Sequence, residues 1–450
     1  MSLYLFGVLA AVLGVAVSIG LHEVGHMVPA KRFGVRVTQY MIGFGPTVWS
    51  RRGSETEYGV KAIPLGGYVR MIGMYPPPRG AAALRSGGGV AGRLEALAEE
   101  ARQAAWHEVP PGEEHRAFYR LSVPKRVVVM MGGPTMNLLI SIGLFAVLLV
   151  GLGLPAPTTT VATVHPCVPA HMASRQAAEA ALADPGSLPA DDCPEGSAQS
   201  PAAGSGLVAG DRITSIDGTD VDTWSELTDV TRVRPGQAVV LGVETSSGVR
   251  TVDVELATAY RPATDAQGRT TGGIQETGYL GVSPQSEYVS QPWSAVPETM
   301  WDITVRSGQA LVALPARVVE LASDLVTGQA RDPEGPVSVV GIGRISGEVA
   351  AAEDAAVTKV ASLVSIIAGL NLFLFLFNLL PVLPLDGGHV AGALYEGARR
   401  QVALRRGRPD PGPVDLARAL PIAYAVGILL VALSSVVIIA DLINPISLYG

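Results

Sequence analysis

Four separate stretches of this 450-residue chain, 3–21, 127–154, 357–380 and 419–439, stay apolar for about the 20 residues a helix needs to cross a bilayer. Residues 130–154 contain no charged side chain. Hydrophobic residues make up 48% of the chain and charged ones only 16%, a balance that points to a polytopic membrane protein. The first stretch could serve as a secretory leader. No Lys or Arg precedes Lys31, however, and no small-residue cleavage site stands out, so it is read as retained.

Charge sets the expected orientation. Residues 27–126 carry 15 basic and 8 acidic side chains, and residues 387–418 carry 6 and 3. Residues 155–356 reverse the balance, with 11 basic against 26 acidic. Basic residues near span ends stay on the cytoplasmic side. Lys31, Arg32 and Arg36 follow the first span, Arg120, Lys125 and Arg126 precede the second, and Arg399 and Arg400 follow the third. Both termini and the acidic central segment are therefore expected outside the cytoplasm. The net charge of −7 argues against nucleic acid as a partner. Both cysteines, Cys167 and Cys193, fall in the external segment, where two free thiols and a disulfide are both open.

Between the spans the pattern changes. Residues 39–75 are rich in Gly and aromatics, and the pieces 48–49, 57–63 and 67–71 read as short strands and hairpins. Such structure beside a membrane is tolerated when buried against protein or lining a wet cavity. Residues 92–105 suggest a surface helix within an otherwise mobile 80–116. Outside, 158–164 reads as a strand, and 166–201 as an Ala/Pro/Ser-rich insertion. A helix near 224–233 and strands at 238–244 and 248–256 follow. Residues 293–327 turn helical, with Trp301, Val305, Val312, Val319 and Leu325 among polar positions. That fits either a helix lying along a membrane surface or an ordinary amphipathic one.

The chemistry begins at His22-Glu23-Val24-Gly25-His26. On a helix, positions four apart share a face, so both imidazoles can meet one metal. Glu23 then stands beside the water to be activated and can take its proton. Zinc suits a site with three protein ligands and one open place. A surface His pair is the plain alternative, but three ionisable groups at the end of an apolar span are costly without a task. No third ligand lies nearby, since the position six after His26 is Arg32. The candidate is Asp386, which closes the third apolar stretch within a Pro- and Gly-rich run at the depth of the His pair. The alternative is an Asp that merely ends a span and faces water. His107, His115, His165 and His171 have no ligand-spaced partner and are read as surface residues; His389 follows Asp386 by three positions and is assigned no role.

With these residues in view, the chain resembles the site-2 proteases, in the bacterial branch with an external PDZ domain. His22-Glu23-x-x-His26 and Leu385-Asp386-Gly387 match the two defining motifs. Arg126 with Gly132-Gly133-Pro134-Thr135-Met136-Asn137 is similar to the second-span signature. The stretch GSGLVAGDRITSID, 204–217, is similar to a PDZ core, and Gly335-Pro336-Val337 also looks familial. The resemblance implies a multi-pass protein of the cell membrane. Its four transmembrane helices come with a membrane-associated β element and an extracytoplasmic PDZ-like α/β domain.

The implied layout is helix one at 1–27 and a cytoplasmic-side β segment at 28–125. Helix two follows at 126–154, the PDZ-like domain at 155–285, and an amphipathic helix with linker at 286–355. Helix three covers 356–386, a cytoplasmic loop 387–418, and helix four with its tail 419–450. His22, His26 and Asp386 would bind one Zn2+, and Glu23 would activate water. Asn378, and more weakly Asn137, would hold the substrate strand that 45–74 presents in extended form. Substrates would be single-span proteins such as anti-sigma factors or signal-peptide remnants. The PDZ-like domain either binds a peptide end or, as preferred here, filters out bulky external domains. Arg outnumbers Lys 29 to 4, which with abundant Ala and Gly suggests an actinobacterial source. The rival readings are a metal transporter or sensor, which gives Glu23 no work as a base, and a PDZ scaffold with a vestigial metal site.

Overall fold

A computed structural model of the chain describes residues 1–78, 89–183, 193, 197–264, 270–329, 331–332 and 335–446. Parts of the expected mobile segment and of the Cys-containing insertion lie outside these residues. The elements run α1 (Ser2–Arg32), β1 (Val37–Arg52), β2 (Glu57–Met71), α2 (Gly89–His107) and α3 (Val123–Ala146), which a π-helical turn extends through Val147–Leu152. Next come β3 (Leu154–Val164), α4 (Arg175–Ala183), α5 (Pro201–Ser205), β4 (Arg212–Ile216), β5 (Thr219–Asp220) and α6 (Trp224–Arg232). Strands β6 (Ala238–Thr245), β7 (Gly248–Glu255), β8 (Ala257–Thr264), β9 (Thr270–Tyr279) and β10 (Val282–Val289) follow. Last are α7 (Ala295–Thr327), α8 (Val339–Ala351), α9 (Ala356–Asn378), α10 (Asp386–Arg405) and α11 (Leu420–Ile443). The chain divides into two compact units, Gly153–Ser290 and the remainder on either side of it.

In the larger unit each of the four apolar stretches is helical, and four helices are long and apolar enough to span a bilayer among the described residues. Helix α1 continues well past its apolar run, through both histidines, to Lys31 and Arg32, whose charges complement its C-terminal dipole. Large apolar side chains such as Leu5, Phe6 and Leu13 on α1 and Ile428 and Val431 on α11 are uncovered by protein, as lipid-facing positions are. Small residues close the contacts inside. A Cβ on Gly25 would fall 2.2 Å from the Gly132 carbonyl oxygen and one on Gly132 would fall 1.9 Å from that of Gly25, so α1 and α3 touch backbone to backbone. Helix α8 meets α1 as closely, at Gly7 against Ser346. Asn371 of α9 donates to Ser18 Oγ (2.9 Å) on α1, and Ser141 of α3 donates to the Ala368 carbonyl (3.0 Å).

The short strands expected within 39–75 are two long antiparallel ones, β1 and β2, with repeated register shifts. Glycine permits the irregularity: Gly43 has φ +94°, and a Cβ there would lie 2.7 Å from the Ile63 carbonyl oxygen. The hairpin lies on α1, where the Tyr40 hydroxyl donates to Gly20 O at 2.8 Å. Residues 387–418, expected to be a loop, are mostly α10. Their polar, Arg-rich composition hid a helix whose inner face is small, with Gly387, Gly388 and Ala393 buried. Helix α7 leaves Trp301, Val305, Val312 and Val319 uncovered by protein, but Leu325 packs with Val318 and Leu321 against Val437 and Ala440 of α11.

The smaller unit is an antiparallel sheet in the order β10-β3-β4-β6-β7, with β5 on β4, plus a separate β8–β9 hairpin. Apolar residues of β4 and β6, among them Ile213, Ile216, Leu241 and Val243, meet Leu227 of α6 in its core, with a register shift in β4 bringing both isoleucines inward. A capping box between Thr223 and Glu226 starts α6. Cys167 and Cys193 form a disulfide, which settles the open alternative.

Candidate metal centre

Helical spacing puts His22 and His26 on one face of α1 with ring centroids 4.9 Å apart and Nε2 atoms 3.2 Å apart. The His26 Nδ1–H donates to the Val129 carbonyl of α3 at 2.8 Å, which leaves Nε2 as the lone-pair nitrogen of the neutral ring. Asp386, the first residue of α10, brings Oδ2 to 3.3 Å from both Nε2 atoms. The ligand atoms of the three side chains all lie within 4.8 Å of one another, and His26 is buried.

Local sequence explains the delivery of Asp386. Helix α9 ends at Asn378, and the chain folds back so tightly that a Cβ on Gly387 would fall 2.3 Å from Leu380 O and one on Gly388 would fall 2.6 Å from Leu383 N. Only glycines fit that turn. Helix α3 closes the site from the other side. A Cβ on Gly133 would stand 2.2 Å from His26 Nε2 and 2.7 Å from His22 Nε2.

A metal fits this donor set on the structure's own terms. Neutral His26 offers a lone pair, Asp386 offers only acceptors, and His22 can supply at most one hydrogen through Nε2. Among the described residues Asp386 Oδ2 is buried without a hydrogen-bond partner while it faces both Nε2 atoms, and a shared cation would satisfy all three. Two imidazole nitrogens and a carboxylate oxygen are a donor set that zinc takes in sites with one open position.

Glu23 is buried next to this group. A Cβ on Gly67 of β2 would fall 2.9 Å from its Cγ, so the hairpin presses directly on the acid. The two asparagines stand differently. Asn378 is half-buried and donates to Leu374 O, 3.0 Å away on its own helix. Asn137 is buried with no partner for its Oδ1. Sequence reasoning missed Asn371, fully buried in the third span, though an amide in an apolar span is itself a signal. It also missed Glu396, which is fully buried on α10, and the Val129 carbonyl, which no pattern of residue types could reveal.

Residues 10–408 match Peptidase family M50, and the chain belongs to that family of membrane peptidases. Among its relatives, the zinc metalloprotease Rip1 of Mycobacterium tuberculosis is 34% identical over 99% of this chain and 100% of its own length. The protein of the same name from Mycolicibacterium smegmatis is 31% identical over 98% of each. The zinc metalloprotease RasP of Geobacillus kaustophilus is 24% identical over 84% of this chain and 86% of its own.

Proposed function

We propose that this multi-pass membrane peptidase is a zinc endopeptidase that cuts single-span membrane proteins within the bilayer. Anti-sigma factors and signal-peptide remnants are the leading substrates. The observation carrying the proposal is the meeting of His22 and His26, near one end of the chain, with Asp386, near the other, around a point where Glu23 is also at hand.

His22 Nε2, His26 Nε2 and Asp386 Oδ2 would hold the ion, and the bond from His26 to Val129 would keep that ring from turning. Zinc supplies a Lewis acid for the scissile carbonyl and lowers the pKa of water. The Glu23 carboxylate takes a proton from the attacking water and returns it to the leaving amine nitrogen. The β1–β2 hairpin, seated against Glu23, would offer strand edges to an extended substrate, whose main chain then pairs whatever its side chains. Asn378 and Asn137 would steady that strand. The basic loops support a reading in which the centre lies toward the cytoplasm while both termini and residues 153–290 lie outside it. That unit is read as a PDZ-like filter against bulky external domains.

Glu23→Gln should keep zinc and lower the cleavage rate of a membrane reporter by about 10²–10⁴-fold. Full activity in that variant would overturn the assignment. Zinc flux into liposomes without any cleavage by the wild type would favour a transporter instead.

A further inference from the structure

Resting on the reading that His22, His26 and Asp386 hold zinc, we propose that the buried Arg126–Glu396 ion pair positions Asp386 against the imidazoles. Helices α3 and α10 run past each other in opposite directions. Val123 faces Gly397, Arg126 pairs with Glu396, and Val129 and Met130 share a core with Val390. At the far end Gly133 backs the two rings that Asp386 faces.

Arg126, Val129 and Gly133 are spaced i, i+3, i+7 and so share one face of α3. That face holds the rings directly, through the Val129 carbonyl and the Gly133 cradle, and holds the carboxylate through Glu396. A single helix thus registers both halves of the metal set. Glu396 stands ten residues beyond Asp386, about 15 Å along α10, so fixing it fixes where the helix begins.

The pair is well built for this. Its side chains are 8% and 1% exposed, and Glu396 also accepts from Arg400 (3.1 Å) and from the Val414 N–H (2.8 Å). Burying an ion pair contributes little net stability, because desolvation offsets the attraction; fixing register is its best-attested use. The apolar contact of Val390 with Val129 and Met130 can hold the helices together but tolerates sliding. A charged, hydrogen-bonded pair does not. Neither Arg126 nor Glu396 takes part in hydrolysis, so both are positioning residues.

The test uses the purified full-length chain in detergent with zinc as the probe. Arg126→Met with Glu396→Gln removes both charges together and keeps an acceptor for the Val414 N–H. The double variant should melt near the wild type. Its zinc affinity, measured by chelator competition, should fall roughly 10–100-fold. With zinc saturating, kcat should fall by about 10-fold or more while KM holds, as a misplaced ligand predicts. Gly397→Val gives an independent probe, because it wedges α10 from Val123 (3.3 Å from a Cβ placed there) and leaves the charges intact. It should weaken zinc binding in the same direction. Wild-type zinc affinity and kcat in both variants would overturn the proposal. Asp386→Ala separates the two claims. If that variant keeps zinc at full strength, the ligand assignment itself fails; if it loses zinc while the double variant does not, only the positioning role is lost.

Discussion

At the metal, a missing atom matters as much as those present. Gly133 carries no side chain, and the two Nε2 atoms occupy the space a Cβ would need, at 2.2 and 2.7 Å. Gly133→Ala should therefore cost about 100-fold in zinc affinity, the upper range for disturbing a ligand's surroundings. Helicity should hold, since alanine suits a helix better than glycine. Zinc content after dialysis, read beside a circular dichroism melt, checks both halves of that statement. The His pair and Glu23 were legible in the sequence because their spacing is itself the geometry. Asp386 was picked out because it closes the third apolar stretch, expected to end at the depth of the His pair, and its Oδ2 does lie 3.3 Å from both Nε2 atoms. Glu396 was not, because its partner Arg126 is 270 residues away and nothing in an Arg-rich stretch marks one Glu for burial.

At the scale of elements, α1 and α3 meet backbone to backbone at Gly25 and Gly132. Gly132→Leu would force a side chain into the Gly25 carbonyl, where even a Cβ would come within 1.9 Å. The helices must then part, at a cost of about 1–3 kcal/mol. The 2.8 Å bond from His26 to Val129 should break with them. A lowered melting temperature together with weaker zinc binding is the expected result; an unchanged melt would mean the joint yields more easily than its geometry implies. The apolar spans were readable from run length alone. Helices α8 and α10 were not, because glycine-rich and polar stretches carry the composition of loops, and only packing against α1 and α3 makes them helices. In β1 and β2, glycine and proline suggested breaks where the strands instead absorb irregularities as bulges.

For the molecule as a whole, the unit 153–290 has its own sheet, its own apolar core and its own disulfide. Such a body is expected to fold when expressed alone. The Cys167–Cys193 bond closes a loop with a sequence separation of 26, so reduction should lower the stability of that fragment by about 3 kcal/mol. Denaturant melts of the oxidised and reduced forms give the comparison. Equal midpoints would show that the bond constrains little. Strand β3, helix α6 and strands β6 and β7 of this unit were anticipated. The β8–β9 hairpin was overlooked, since its inward face on β8 is built of small residues, Ala257 and Ala259, among Thr- and Gly-rich neighbours.

The metal set is divided between the start of the chain and a carboxylate about 360 residues later. At a synthesis rate of about 5–20 residues per second, the imidazoles emerge roughly 20–70 seconds before Asp386 is made. A nascent chain therefore enters the membrane as an incomplete hydrolase. Until α10 is made the two imidazoles lack the carboxylate that faces them, so hydrolysis waits on completion of the third span.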